Sequence, residues 1–248
     1  MKAKRRILVT GGNGVLAQEI KKTKSNYEIL CISKKEMDVC NLDEINSSLD
    51  KYKPNYIIHA GAFTRPMKKH QEFPVKSIST NIIGTSNVVL SCLERKIKMI
   101  YISTDYVYPG TEGNYKEDSG LSPYSVVNDG ISKYGWSKLG GECAVRFLKE
   151  YLIIRACLSE YPFPHDKALT DIKKSYMYSK DAASIILRLL DLNGIINLGG
   201  EAKSPYEFSK LEKKDVKAIS LSDIVDVKIA PDTSLDLTKL KNILKGSI

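Results

Sequence analysis

Short apolar runs alternate with longer amphipathic segments along most of the chain. The runs are predicted as strands over residues 6–10, 27–32, 55–60, 98–103 and 151–156. The segments between them are predicted as helices over residues 15–24, 41–52, 74–96 and, after a loop over 109–130, the stretch that contains Tyr134. Asn41 suits the cap position of the second of these helices. Strands that are apolar throughout are typical of a parallel sheet covered on both faces. The pattern therefore predicts an α/β fold with a doubly wound parallel sheet.

A glycine turn joins the first predicted strand to the first predicted helix, in "VTGGNGVLA". Gly11 can make a tight turn, Gly14 lets a diphosphate approach the backbone, and Ala17 is small enough for close helix packing. The helix N-terminus that follows offers unpaired N–H groups to an anion. We therefore predict dinucleotide binding here, with Val15 and Leu16 among the contacts, over the alternative of an ordinary turn.

The pattern is less regular after residue 156. A helix is predicted over 179–192, a strand-like run follows at 194–200, and Pro205 fits the first turn of another helix. We expect residues 1–156 to form a Rossmann-like dinucleotide-binding region. Residues 157–248 are expected to form a small substrate-binding lobe of the same domain.

Basic residues outnumber acidic ones, 38 to 29, which gives a net charge of +9 and favours anionic ligands. The lysines are spread along the chain without a dense basic tract, so no nucleic-acid partner is expected. The five cysteines and three histidines lack metal-ligand spacing, which predicts a reduced, metal-free protein of the cytoplasm. The N-terminal apolar run is too short for a signal peptide, and no segment reaches the roughly 20 apolar residues of a membrane span.

The end of the second predicted strand carries the residues that select between NAD and NADP in this kind of fold. Here Ser33, Lys34 and Lys35 occupy that place, where a carboxylate would favour NAD. A hydroxyl and ammonium groups suit a 2′-phosphate, which predicts a preference for NADPH over NADH. The alternative is that these are ordinary loop lysines.

Tyr134 and Lys138 are four residues apart in "YGWSK" and share one face of a predicted helix. A nearby cation stabilises a phenolate and lowers its pKa, so this tyrosine could exchange a proton with a carbonyl or hydroxyl group. Thr104, at the end of the strand before, could hydrogen-bond a substrate oxygen. The alternative for this common spacing is a surface pair without chemistry.

Several motifs, in order, resemble the extended short-chain dehydrogenase/reductases: "TGGNGVLA", "IIHAGA", "NIIGTSNVV", "YISTDYVY" and "YGWSK". The resemblance covers about residues 6–156. Within this family the sequence most resembles the dTDP-4-dehydrorhamnose reductases, through "YISTDYVYPG", "AFT", "YGWSKLGGE" and "PDTSLDLTKLK".

The resemblance implies catalytic and substrate roles for four residues. Tyr134 would be the proton donor, and Lys138 would lower its pKa and bind the nicotinamide ribose. Thr104 would polarise the C4 carbonyl of the sugar, and Asp105 would contact the substrate.

The resemblance also implies further cofactor contacts, and a role for one asparagine. Asp38 and Val39 match the positions near adenine, and the backbone of 60–62 would line the cofactor, through Ala60, Gly61 and Ala62. Asn81 matches a helix asparagine that supports a water path to the lysine in relatives. Its alternative is a polar residue packed inside an apolar helix.

The implied function is NADPH-dependent reduction of the C4 ketone of a nucleotide-activated 4-keto-6-deoxy sugar. Related dehydratases have a glutamate where this chain has Tyr106, and the cysteine typical of epimerising relatives is absent, so simple reduction fits best. Two alternatives stay open: a nucleotide-sugar epimerase of the same family, and a non-catalytic regulatory subunit that keeps the fold. Relatives are often dimers, so a homodimer is also expected.

The resemblance weakens after Arg155. Relatives have a sugar-contacting tryptophan in the following segment, whereas the single tryptophan here is Trp136. We therefore expect a trimmed lobe and an altered sugar pocket. His165, Lys173 and Lys174 could meet a diphosphate, but are expected to be solvated loop residues.

Overall fold

The computed structural model describes residues 4–124, 130–224 and 228–246, so residues 125–129 of the predicted loop lie outside it. Its strands are β1 (Arg6–Thr10), β2 (Glu28–Ile32), β3 (Tyr56–His59), β4 (Lys98–Thr104), β5 (Tyr151–Ala156), β6 (Leu158–Ser159), β7 (Lys167–Leu169), β8 (Met177–Tyr178), β9 (Gly194–Leu198) and β10 (Lys217–Ile219). Its α-helices are α1 (Val15–Lys22), α2 (Leu42–Tyr52), α3 (Lys69–Glu72), α4 (Pro74–Ile78), α5 (Gly84–Arg95), α6 (Gly130–Val145), α7 (Ser179–Arg188), α8 (Pro205–Lys210) and α9 (Thr238–Lys245).

Six strands of the described residues form the main sheet, in the order β2-β1-β3-β4-β5-β9, and every neighbouring pair is parallel. The predicted doubly wound α/β fold is therefore confirmed. The chain leaves β1 toward one edge to form β2, then returns to the other side of β1 to form β3. A crevice opens at the carboxyl ends of β1 and β3, where ligands bind in sheets of this kind.

Alternate side chains of each strand enter two separate cores, one on each face of the sheet. Ile7 and Val9 of β1 belong to the core that includes α1, α7 and α9. Leu8 points the other way, into the core that includes α2, α5 and α6. Burial on both faces explains why the strands are continuous apolar runs in the sequence.

The helices follow the sequence signals closely. Asn41 caps α2 as predicted, because its side chain accepts hydrogen bonds from the backbone N–H groups of Asp43 and Glu44. Pro205 opens α8, which begins with a capping box formed by Ser204 and Glu207. The helix predicted over 74–96 is interrupted by a π-helical turn at Ser79–Ile83, between α4 and α5.

The part of the chain after residue 156 contributes both to the main sheet and to a separate cluster. Strand β9 forms the sheet's last strand, beside β5. Strands β7 and β10 pair with each other, as do β6 and β8, next to an aromatic cluster that contains Phe163, Tyr178 and Phe208. The division at residue 156 stays an expectation.

Candidate active site

The glycine turn brings two loops of the crevice into close contact. Gly11 has a φ of +69°, which favours glycine, and a Cβ atom built on it would lie 2.7 Å from the Cα atom of Gly61. Gly61 in turn donates its N–H to the Oγ1 atom of Thr10, at 2.9 Å. The predicted tight turn at Gly11 is thus present, and it joins the end of β1 to the segment after β3.

The N-terminus of α1 faces this crevice without a competing side chain. Gly14 is the N-cap residue and provides no side-chain hydrogen bond, and the first turn carries no acidic residue. Val15 is 42% exposed and Leu16 is partly buried. The N–H groups of a first helical turn have no intrahelical acceptor, so this end can receive a phosphate group. The turn from Gly11 to Gly14 and the start of α1 therefore fit the diphosphate of a dinucleotide, as the sequence predicts.

The end of β2 contains a carboxylate that the sequence analysis missed. Glu36 accepts a hydrogen bond from the backbone N–H of Ser33, at 2.8 Å. Lys34 forms an exposed ion pair with Asp38, at 3.2 Å. Lys34 and Asp38, two of the residues predicted to contact the adenosine end of the cofactor, therefore lie on one loop, and their charges partly balance each other. Lys35 is exposed.

Val39, which matches a position near adenine in the family, packs against helix α5. It is buried, and a Cβ atom on Gly84 would lie 2.7 Å from the Cγ2 atom of Val39. Its carbonyl group accepts a hydrogen bond from Asn87, at 3.1 Å. Val39 therefore fixes the loop between β2 and α2 to α5.

Asn81 clamps the segment after β3 from within the π-helical turn. This buried side chain accepts a hydrogen bond from the N–H of Phe63 and donates one to its carbonyl group, at 2.7 and 2.8 Å. It also donates to Ser137 of α6, at 2.9 Å. Ala60, Gly61 and Ala62 are partly buried just before this clamp. Asn81 is thus a fully bonded residue that ties three parts of the site together.

Tyr134 lies on α6 with its ring buried at the end of β4. Burial raises the pKa of its phenol well above the usual value, the charge of Asp105 adds to this effect, and an interaction with the Thr104 hydroxyl opposes it. Thr104 is itself buried, and caps the short 3₁₀ turn Asp105–Val107 through its Oγ1 atom. The structure therefore brings the two predicted catalytic groups together.

Lys138 is one helical turn after Tyr134, and its side chain is also buried. Its Nζ atom lies 4.1 Å from the centre of the Tyr101 ring and has no hydrogen-bond acceptor among the described residues. Burial lowers the pKa of this amine to about 7, against the opposing charge of Glu142. Tyr134 and Lys138 are therefore not the surface pair that their spacing alone allowed.

Two aromatic side chains hold the ring of Tyr134. The ring of Tyr106 meets it edge to face, with centroids 6.1 Å apart, and the ring of His70 lies 5.1 Å away on another side. His70 bonds to Ser77 and to the carbonyl group of Thr64, at 2.8 and 3.0 Å. The sequence analysis missed this histidine because nothing in the surrounding residues links it to α6.

Asp105, for which the family resemblance implies a substrate contact, is buried and forms an ion pair. Its Oδ2 atom accepts hydrogen bonds from the Nζ atom of Lys174 and from the hydroxyl of Thr233, both at 2.6 Å. The expectation that Lys174 is solvated is wrong, because its side chain is 3% exposed. Lys173 and His165 are exposed.

A second buried ion pair supports α6 from below. The guanidinium of Arg155 on β5 donates three hydrogen bonds to the carboxylate of Glu142, at 2.8, 3.0 and 3.3 Å, and both side chains are fully buried. Arg155 also donates to the hydroxyl of Tyr108 and the carbonyl group of Glu117. This network fixes the helix that carries Tyr134 to the sheet.

Arg65 lies near Tyr134, since its positive charge lowers the pKa of that phenol. It pairs with Glu160 at 3.1 Å and donates to the carbonyl group of Leu158, and it is about half exposed. Leu158 begins β6, shortly after β5. Within residues 4–124, 130–224 and 228–246, no cluster of metal-ligating side chains occurs. In the same ranges, no helix is both long and apolar enough to cross a membrane.

Comparison with known proteins finds relatives of the same name among both curated sequences and solved structures. A dTDP-4-dehydrorhamnose reductase of Aggregatibacter actinomycetemcomitans is 28% identical, over 95% of this chain and 92% of that protein. The crystal structure of dTDP-4-dehydrorhamnose reductase from Bacillus anthracis in complex with NADP superimposes with a TM-score of 0.85, at 25% identity, and covers 98% of this chain and 94% of that one.

A relative with a different name also matches. The methionine adenosyltransferase 2 subunit beta of Xenopus tropicalis is 26% identical, over 83% of this chain and 70% of that protein. The family described as "RmlD substrate binding domain" matches residues 5–158, which include the glycine turn, Thr104, Tyr134 and Lys138. The chain belongs to this family, within the extended short-chain dehydrogenase/reductases.

Proposed function

We propose that this protein is an NADPH-dependent reductase of the C4 ketone of a nucleotide-activated 4-keto-6-deoxy sugar, as the names of its dTDP-4-dehydrorhamnose reductase relatives suggest. The observation that carries the proposal is the meeting of Tyr134, Thr104 and Lys138 at the carboxyl end of β4, next to the glycine crevice. A regulatory protein without chemistry would not need all three.

The cofactor fits the crevice through the chain's own groups. The turn between Gly11 and Gly14 and the start of α1 would hold the diphosphate, and Lys34 would face the adenosine end. Lys138 would hold the nicotinamide ribose. The reduced nicotinamide supplies a hydride to the ketone carbon when it is bound.

The proton side of the reaction follows from the state of Tyr134. Burial and the charge of Asp105 keep the pKa of the phenol above its usual range, so the group is protonated at neutral pH. A proton donor in a ketone reduction needs this state. The Thr104 hydroxyl, beside it, donates its single proton to Oδ1 of Asp105 in the structure. It would turn to donate a hydrogen bond to the same carbonyl oxygen when substrate binds, and so stabilise the negative charge that develops there.

Reduction without a second reaction is supported by Tyr106. A dehydratase or epimerase needs a base near C5 or C3 of the sugar. Burial raises the pKa of the Tyr106 phenol, with Lys174 acting in the opposite direction, so the group is not a base at neutral pH. We expect the C3 and C5 configurations of the sugar to be retained.

We also infer a homodimer in the cytoplasm. Two packed helices, α5 and α6, expose apolar side chains: Ile83 just before α5, Leu90 and Leu93 on it, and Trp136 on α6. A second copy of the chain would cover this apolar face, in agreement with the homodimer that the family resemblance implies. A cytoplasmic site would supply NADPH and keep the cysteines reduced.

The test is NADPH oxidation with a panel of dTDP-, UDP- and GDP-linked 4-keto-6-deoxy sugars, with NADH in parallel. We expect turnover with NADPH on at least one sugar and slower turnover with NADH. Tyr134→Phe should lower kcat by roughly 10²- to 10⁴-fold while NADPH still binds. Tight NADPH binding without turnover on any sugar would instead favour a regulatory subunit.

A further inference from the structure

A buried ion pair between Lys174 and Asp105 adjoins the catalytic threonine and takes no direct part in hydride or proton transfer. Asp105 directly follows Thr104, at the end of β4. Lys174 lies in the lobe, three residues before β8. The Nζ and Oδ2 atoms are 2.6 Å apart, and each side chain is only 3% exposed. The pair therefore joins the lobe to the catalytic end of the main sheet.

The two carboxylate oxygens of Asp105 have different partners: one bonds to Thr104, and the other to Lys174 and Thr233. Its Oδ1 atom accepts the hydroxyl proton of Thr104, at 3.0 Å. Its Oδ2 atom accepts from Lys174 and from Thr233, which also receives a hydrogen bond from Lys174 at 2.9 Å. Without Lys174, the full negative charge would compete with the substrate for the Thr104 proton.

The same ammonium also contacts the aromatic wall of the site. The Nζ atom of Lys174 lies 3.9 Å from the centre of the Tyr106 ring, within the range of a cation–π interaction. The Tyr106 ring meets the ring of Tyr134 edge to face. Lys174 therefore contacts both Asp105 and Tyr106. Asp105 in turn contacts Thr104, and Tyr106 contacts Tyr134.

We propose that Lys174 is a positioning residue for the ketone reduction, one that fixes Asp105 and Tyr106 so that Thr104 and Tyr134 face the substrate carbonyl together. This inference rests on the proposed function. The hydrogen bonds of the Lys174 ammonium go to Asp105 and Thr233, so it acts through these protein groups and not on the substrate itself. Its charge also balances that of Asp105, which would otherwise repel the negative charge that develops on the ketone oxygen before protonation.

The neighbouring lysine provides a matched control. Lys173 is exposed and directly adjacent in sequence, so Lys173→Met removes the same charge without touching the ion pair. We expect Lys174→Met to lower kcat by about 100-fold, since small displacements of catalytic groups cost this much. The KM for NADPH should change little, because the cofactor crevice is formed by other residues. Lys173→Met should behave as the wild type.

A double variant tests the part of the proposal in which Lys174 balances the buried charge of Asp105. Lys174→Met leaves a buried, unpaired carboxylate, whereas Lys174→Met with Asp105→Asn leaves no buried charge. We expect the double variant to have a kcat at least tenfold above that of Lys174→Met, and to fold even where the single variant does not. A kcat of Lys174→Met equal to that of the wild type, or a double variant no more active than either single variant, would overturn the proposal.

A crystal structure of the Lys174→Met variant, or of Asp105→Asn if that single variant alone is soluble, tests the inference without turnover. We expect the turn from Thr104 to Tyr106 to be displaced from its wild-type position. An unmoved turn would contradict the positioning role. If the wild type reduces no sugar in the panel, the proposed function fails, but this structural comparison still decides whether the ion pair holds the turn.

Discussion

The amine of Lys138 occupies a position that disfavours its charged state. It is buried against the Tyr101 ring, and its pKa is lowered from 10.5 to about 7. Below pH 7, both the folded and the unfolded chain carry the proton, so the wild type bears the full cost of the buried charge. Between pH 7 and 10.5 the unfolded chain binds more protons, so stability rises with pH.

We therefore predict that Lys138→Met inactivates the enzyme but stabilises the cofactor-free fold. The gain should be roughly 2–4 kcal/mol below about pH 7 and should shrink as the pH rises toward about 10, because the wild type then loses its buried charge. Urea unfolding at a series of pH values measures it. Lys133→Met, on the same helix but less buried, should show no such pH-dependent gain; a gain of equal size in both variants would refute this explanation.

Single residues were predictable from the sequence where a local motif carries them. Tyr134 and Lys138 lie four positions apart, which predicted that they share one face of a helix. The role of Thr104 beside them followed from its place at the end of a strand and from the family resemblance. Lys174 is 69 residues from Asp105 along the chain. Nothing local links the two, and an isolated lysine in an irregular segment is usually solvated, which is why its burial was not foreseen.

The β1–α1 turn is an element whose geometry depends on one residue without a side chain. Gly11 has a positive φ, and a Cβ atom built on it would lie 2.7 Å from Gly61, so there is no room for a methyl group. We expect Gly11→Ala to lower the free energy of unfolding by more than about 1 kcal/mol and to weaken NADPH binding at least tenfold, because the two loops must separate.

Gly120 provides the comparison for this turn. It is exposed, and a Cβ atom built on it meets nothing within 4 Å. Gly120→Ala should therefore leave both stability and NADPH affinity close to those of the wild type. Denaturant unfolding and a fluorescence titration with NADPH measure the two effects. Normal NADPH affinity in Gly11→Ala would show that the close approach of the two loops is not needed for the cofactor.

The regular elements followed from periodicity, while the irregular ones did not. Strands buried on both faces leave continuous apolar runs, and the cap residue Asn41 indicated the start of α2. The π-helical turn at Ser79–Ile83 keeps helical periodicity on both sides, so only the structure reveals it. The paired strands β7 and β10 are three residues each, too short for a period to register.

The whole molecule carries a net positive charge, and four of its exposed apolar side chains lie on or next to α5 and α6. With a net charge of +9, two copies repel each other unless they meet where charge is sparse. The outer faces of α5 and α6 provide such a place, and α6 packs closely on the turn before α5, since a Cβ atom on Gly140 would lie 3.0 Å from Ile82. Because α6 also carries Tyr134, association on this face would support the helix that holds the catalytic phenol.

Leu90 tests this arrangement without touching the catalytic groups, since it lies on α5 and is 49% exposed. We expect the wild type to be a dimer at micromolar concentration and Leu90→Glu to be a monomer, because the variant would bury two carboxylates against an apolar face. Leu211→Glu, directly after α8 and 63% exposed in the wild type, should stay dimeric. Sedimentation velocity measures all three. A monomeric wild type would show that this face forms no dimer. A Leu90→Glu variant that remains a dimer would place the interface elsewhere, because an apolar interface of two helices cannot bury two unpaired carboxylates and remain stable.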